Sequence, residues 1–321
     1  MSVTATDWQQ FTPIILPGLF LLGLIFGSFL NVCIYRMPQG LSVVAPRSAC
    51  PQCKTPIRAY DNIPVLSWIL LRGRCRDCKA PISPRYAVIE LLTALLFTAS
   101  FLRFGFTLEA AKACMLSFLL IGLVFTDADC HLLPDELTLS GLVIGLAFSL
   151  FVPVDSFFSQ ILPISIWRGV PSEFSWRLAS LLDSLMGAAL GAAFIYGAGF
   201  LYLKWKGIEG MGFGDVKLMA MIGGFFGMRL TIIVIFAAAM VGSIFGLTLI
   251  LIVWRKRLRR RLQRGKEPAS VARRRAWQSA RLLYRQYEIP FGSFLGSVAL
   301  LMLFYGDVIV RWYMRLYGVS Y

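Results

Sequence analysis

Histidine is almost missing from this chain. His131 is the only one among 321 residues. No serine–histidine or cysteine–histidine machinery can therefore be assembled around a second histidine, and His131 reads as a polar interfacial residue. Acidic side chains are also scarce, 17 Asp+Glu against 32 Lys+Arg, and charged residues make up only 15%. A disordered chain needs more charge and less apolar content than this. Collagen-like periodicity, a low-complexity linker and an internal repeat are all absent on inspection. No basic segment precedes the first apolar run and no small-residue cleavage pattern lies within it, so a removable signal peptide is not expected. A glycine-rich dinucleotide fingerprint is missing too.

What the chain has is apolar residue in long blocks. Hydrophobic residues make up 57%, and the mean hydropathy is +0.69. A spanning helix needs about 20 mostly apolar residues. Candidate spans run from Pro13 to Tyr35 and over roughly 86–102, 109–126, 136–153, 180–203, 216–228, 230–254 and 290–312. The expected fold class is an all-α polytopic membrane protein of about eight transmembrane helices with a small cytoplasmic zinc-ribbon-like loop domain. The expected division is a first transmembrane helix over 1–36, a four-cysteine zinc-binding loop domain over 37–85, and a helix bundle over 86–321.

Net charge is +15, which in a soluble domain would suggest nucleic acid. Its location argues against that partner. With the N-terminus outside, segments 36–85, 204–217 and 255–288 hold 25 of the 32 basic residues. Such an excess marks cytoplasmic loops. The run from Arg255 to Lys266, followed by Arg273, Arg274 and Arg275, is the densest; anionic membrane lipid is its expected partner, with docking of an acidic protein as the alternative.

Seven cysteines are present. Cys33, Cys114 and Cys130 fall in or beside apolar blocks, as small hydrophobes do. Cys50, Cys53, Cys75 and Cys78 form two C-x-x-C pairs separated by 21 residues. Four thiolates at this spacing can close a tetrahedral site around Zn²⁺. A redox dithiol is the competing reading, and a reducing cytoplasm disfavours a disulfide framework. A closed site of four cysteines leaves no open coordination position, so the metal is expected to shape the loop only.

Scarce carboxylates make those near membrane blocks informative, because a charge inside a span is expensive. Asp127, Asp129 and Asp135 sit at the junction of two blocks, and Asp215 follows Gly212-Phe213-Gly214 at the entrance to another. Asp127 and Asp215 both fall at cytoplasmic ends of spans and can face each other. Two close carboxylates share a proton, so one can activate water while the other polarises a carbonyl. Gly212 and Gly214 suit close approach of an extended substrate. Helix capping or loop solvation is the plain alternative, favoured for Asp135; Asp129 is open, with assistance to Asp127 as one reading.

The stretches GSFLNVCIYRMP (27–38), NIPVLSW (62–68) within the cysteine loop, SPRYAVIELLTALLF (83–97), DADCHLLPDELTL (127–139), EGMGFGDVKL (209–218) and IPFGSFL (289–295) together resemble the bacterial type IV prepilin peptidase family. The resemblance runs through nearly the whole chain in order. It implies an inner-membrane aspartic peptidase of the G-x-G-D type that removes the leader of type IV prepilins or type II secretion pseudopilins on the cytoplasmic side. It also implies methylation of the new N-terminus with S-adenosylmethionine. By that likeness the catalytic aspartates are Asp127 and Asp215, the zinc ligands are Cys50, Cys53, Cys75 and Cys78, and Gly73 is associated with methyl transfer. Segments 154–178 and 255–288 look longer than the family pattern. The family often has histidine where this chain has Cys130, with His131 one place later.

Two other readings stand beside this one. A peptidase without methyl transfer would use the cysteine loop purely as scaffold. A proton-coupled transporter could use intramembrane aspartates as a relay, but inverted repeats and paired broken helices are not evident.

Overall fold

The computed structural model describes residues 12–154, 172–207, 212–263, 268–286 and 290–316. Nine α-helices are described: α1 Thr12–Arg36, α2 Leu66–Leu70, α3 Arg85–Phe104, α4 Leu108–Cys130, α5 Asp135–Ser149, α6 Ser172–Lys206, α7 Phe213–Gln263, α8 Ala269–Gln286 and α9 Phe291–Leu316. Strands are absent among the described residues, which hold two isolated bridges, Ala49 with Pro56 and Arg74 with Pro81.

Local chemistry sets several helix limits. Gly105 stops α3 in a positive-φ conformation. The Thr107 side chain caps α4 by accepting from the Ala110 N–H, satisfying one orphan donor of the first turn. At the other end His131 takes the left-handed conformation and its N–H bonds back to the Asp127 carbonyl. Pro134 then opens α5, in whose first turn Asp135 and Glu136 sit, where the helix dipole favours negative charge.

Among the described residues, six helices are long and apolar enough to cross a membrane: Thr12–Gln39, with the 3₁₀ turn after α1 included, and those spanning Arg85–Phe104, Leu108–Cys130, Ser175–Lys206, Phe213–Gln263 and Phe291–Trp312. By this measure of single-helix length the eight expected spans reduce to six, for two reasons. The expected 136–153 span is α5, which has 15 residues; at 1.5 Å per residue it reaches about 22 Å, short of the ~30 Å hydrocarbon core. The expected spans 216–228 and 230–254 form one element, α7, broken at Gly227. A side chain on Gly191 of α6 would meet both the Met219 carbonyl and the Thr231 methyl. Residues twelve apart in a straight helix are about 18 Å apart, so α7 doubles back at Gly227 into two arms.

The core lies where these arms meet their neighbours. Leu116, Leu120 and Leu123 of α4, Leu137 of α5, Leu218, Met219, Ile222 and Phe225 of the first arm, and Leu295 and Ala299 of α9 pack into one buried cluster. A second cluster, Leu30, Cys33, Ile34, Ile89 and Ile121, joins α1 and α3 to α4. Outside both, Leu21, Ile25, Leu95, Val143, Phe236, Leu247 and Leu301 are exposed. An apolar exterior of this extent suits lipid and not water. Beyond it, the end of α7 and α8 pack side by side: Ala272, Ala276 and Ala280 are buried, and Trp254 meets Trp277 edge-on at 6.2 Å.

Gly227 has φ 74° and ψ −177°, a conformation open essentially to glycine alone. An added Cβ would also lie 2.6 Å from Val154 Cγ1. Gly227→Ala is expected to cost about 1–3 kcal/mol, read as a lower thermal midpoint in detergent. Gly242→Ala, whose Cβ would stand 3.7 Å from Phe294, is expected to leave the midpoint unchanged.

Candidate active site

Three helix ends converge on one point. Asp127 occupies the last turn of α4, Asp215 the first turn of α7, and Gly292 the second position of α9. Both carboxylates are nearly sealed from solvent, with Asp127 at 5% and Asp215 at 9% exposure. A Cβ built on Gly292 would lie 3.0 Å from Asp215 Oδ1 and 3.1 Å from Asp127 Oδ2. Together those distances cap the separation of the two oxygens at about 6 Å, within the reach of one bridging water. The side-chain space of Gly292 is thus the space between the aspartates, and any side chain there would displace them.

The two acids are not equivalent. The Ser293 N–H donates to Asp127 Oδ2 at 2.6 Å. The Ser293 hydroxyl lies 2.9 Å from the same oxygen and 3.0 Å from the Val124 carbonyl. The N-terminus of α9 therefore points at Asp127, where backbone donors and the helix dipole favour negative charge.

The other expected acids have structural partners. Asp129 pairs with Arg85, whose other guanidinium nitrogen donates to the Phe125 carbonyl at 2.9 Å; this joins α3 to α4. Asp135 receives the Lys217 ammonium at 2.6 and 2.8 Å, tying α5 to α7 two residues beyond Asp215. Neither Gly212 nor Gly214 is among the positive-φ glycines. Gly212 lies open, while a Cβ on Gly214 would press on Leu133 at 3.1 Å.

Cys50, Cys53, Cys75 and Cys78 come together, their sulfurs all within 4.8 Å of one another. Cys50 and Cys78 Sγ are 3.8 Å apart, the edge expected of a tetrahedron with zinc–sulfur bonds of about 2.3 Å. Each pair sits in the same turn. The Cys50 N–H donates to Thr55 O and the Lys54 N–H to Cys50 O; the Cys75 N–H donates to Ala80 O and the Lys79 N–H to Cys75 O. Lys54 and Lys79 both take positive φ. A repeat is therefore present after all, C-P-Q-C-K-T-P-I and C-R-D-C-K-A-P-I, too short to catch the eye at domain scale. Arg76 forks onto Asp61 with contacts of 2.6–3.0 Å, binding the second turn to the loop between them.

The thiols are matched to a cation. Hydrogen bonds from Thr55, side chain before backbone, hold the Cys53 thiol down at about 6. Backbone N–H groups of Cys78 and Asp77 hold Cys75 below the usual thiol range. Cys78 is pushed up to about 11: the Ala80 amide favours its thiolate, but desolvation and three neighbouring sulfurs outweigh it. Four thiolates repel in this space, and a divalent ion at their centre removes the repulsion. The residues fit structural zinc.

Gly73 has φ 64°, and a Cβ there would lie 2.9 Å from Trp68 Cζ2. The turn and the tight ring contact both favour glycine at this position.

Ser293 and Gly292 were not among the expected site residues, although both stand in the IPFGSFL stretch. Nor were two buried acids: Glu90 in α3, whose Oε2 accepts the Val65 N–H at 2.7 Å, and Asp183 in α6 beneath Gly227. Each is a lone acid within an apolar block, a signal that was available.

The bacterial peptidase A24 N-terminal domain model matches residues 21–104, and the type IV leader peptidase family model matches residues 114–247. A prepilin leader peptidase/N-methyltransferase of Aeromonas hydrophila is 33% identical over 319 residues, covering 92% of this chain and 92% of its own length. One from Pseudomonas aeruginosa is 32% identical over 321 residues, covering 93% of each. One from Myxococcus xanthus is 42% identical over 221 residues, covering 68% of this chain and 58% of its own length. No solved structure gives a significant match.

Metal analysis of the purified protein is expected to find one equivalent of zinc. Cys50→Ser or Cys75→Ser should lower that content at least several-fold and increase proteolysis within 37–84. A metal-free protein with an equally resistant loop would contradict the zinc assignment.

Proposed function

The chain belongs to the type IV leader peptidase family, and from that premise we propose that it removes the leader of type IV prepilins or type II secretion pseudopilins through an Asp127–Asp215 dyad. The observation that carries the proposal is the meeting of the two buried carboxylates across Gly292.

The chemistry follows from the asymmetry at Ser293. Asp127, which faces the Ser293 donors, is suited to the charged form and takes a proton from the attacking water. Asp215 holds the shared proton and gives it to the scissile carbonyl oxygen as the water oxygen bonds to carbon. When the tetrahedral intermediate collapses, the carbon–nitrogen bond breaks, and a proton passes to the leaving amine. The products are the leader's carboxylate and a new N-terminal amine. Gly212, open beside Asp215, leaves room for an extended substrate backbone.

Charge sets the orientation. The cysteine loop and the end of α7 with α8 belong to the basic segments that favour the cytoplasm. The site lies at the α4 end that Arg85 of α3 ties to the cysteine loop's side of the bundle. The reading is of a multi-pass inner-membrane protein cutting at the cytoplasmic face, with the basic segment 255–288 against anionic lipid.

The relatives' name carries a second activity, N-methylation, and this reading extends it to the new amine, with S-adenosylmethionine as donor. The donor supplies an electrophilic methyl group; no described side chain is assigned to hold it. Zinc, held by Cys50, Cys53, Cys75 and Cys78, supplies rigidity to the loop.

Incubation of the purified protein with a prepilin and S-adenosylmethionine, followed by mass spectrometry, tests both parts. Asp127→Asn and Asp215→Asn are each expected to lower leader cleavage by about 10²-fold or more. A cleaved substrate without the mass of one methyl group would remove the second activity and leave the first. Gly292→Ala should lower cleavage at least about tenfold, a barrier increase of about 1.4 kcal/mol, with little change in thermal midpoint because flexible side chains can yield. Unchanged cleavage in any of the three would contradict the dyad.

A further inference from the structure

The cysteine loop carries an apolar face that no described residue covers. On α2, Ile69 is 58% and Leu70 72% exposed, and Leu66 and Ile63 are exposed with them. Large aliphatic side chains clustered in this way mark a binding surface.

The depth of this face identifies what it meets. The Val65 N–H, immediately before α2, is held by Glu90 Oε2 at 2.7 Å. Glu90 stands five residues into α3, about 7 Å along the helix from Arg85. α3 is long and apolar enough to span, so the start of α2 is fixed about a turn and a half below the α3 terminus. The polar interface of a bilayer is about 5–7 Å thick on each side. With the α3 terminus at headgroup level, the start of α2 lies at the inner edge of this interface, where its side chains can reach the acyl chains.

Charge follows the same order. Past α2 an open cavity of about 360 Å³ is lined by Leu71, Arg72, Arg74, Cys75 and Lys79. Apolar side chains at membrane depth with three cations beyond them repeat the order of acyl chain and headgroup phosphate.

We propose that α2 is an interfacial anchor seating the cysteine module on the inner leaflet, with Leu66, Ile69 and Leu70 among the acyl chains and Arg72, Arg74 and Lys79 around the phosphate of an anionic phospholipid. The anchor is independent of the catalytic reading. It would hold the module at a fixed height beside the bundle.

Immersion depth tests this in the full-length protein. A nitroxide is attached to Leu70→Cys, or to Arg58→Cys as the exposed comparison, in nanodiscs of phosphatidylcholine with and without phosphatidylglycerol. The label at 70 is expected to relax with dissolved oxygen and be shielded from a water-soluble nickel chelate, and the label at 58 to show the reverse. Phosphatidylglycerol should deepen the label at 70, and Arg72→Gln with Arg74→Gln should abolish that deepening. Zinc content reports an intact module, and Ile69→Cys is read in the same way if Leu70→Cys loses zinc. A label at 70 as open to the chelate as that at 58 overturns the proposal. So does a label shielded from both reagents, which marks a protein-covered face, or a depth indifferent to lipid charge.

Discussion

Two carboxyl groups cannot both stay ionised in a small dry space, and that electrostatic conflict governs this molecule. Asp127 and Asp215 are 5% and 9% exposed and both border the same few ångströms beside the Gly292 Cα. Keeping them there requires the end of α4, the start of α7 and the start of α9 to meet at one level. The left-handed stop at His131, the cluster of Leu116, Leu120, Leu218, Ile222 and Leu295, and the missing side chain at Gly292 each serve that meeting. Ser293 then distinguishes the acids by giving donors to one of them.

The remaining polar contacts read as supports for that arrangement. Arg85 with Asp129 joins α3 to α4, and Lys217 with Asp135 joins α5 to α7. Both ion pairs sit within two or eight residues of an aspartate of the site, so a displacement of either would be felt there. Glu90 makes a different link. By holding the Val65 amide, it couples the membrane helices to the module built on the four cysteines. Val65 pays for this grip in conformation, a β-branched residue at φ 59°, which the surrounding contacts must sustain.

Much of this was legible in the chain itself. Long apolar blocks announced the helices, and the scarcity of acids drew attention to Asp127 and Asp215. The two C-x-x-C pairs announced the four-sulfur cluster because ligand spacing is local. What stayed hidden depends on distant partners. The expected spans 216–228 and 230–254 put a break beside Gly227, but nothing in the GFFG run gives that glycine's positive φ or its contact with Val154. Gly292 and Ser293 matter only because a helix more than 160 residues earlier in the chain ends beside them. Asp129 looks in sequence like an equal neighbour of Asp127, and only the position of Arg85 separates the two. Glu90 was readable as a lone acid in an apolar run, but its partner lies in a loop whose course the sequence does not reveal.

The central claim is that the two acids act as one unit. Leader-cleavage rates of Asp127→Asn, Asp215→Asn and the double variant measure this directly. Groups that work together lose their effect together, so the double variant should be no slower than the slower single variant. Losses that multiply, or a single variant that cleaves at the wild-type rate, would show that the aspartates contribute separately and that the shared site is not the catalyst.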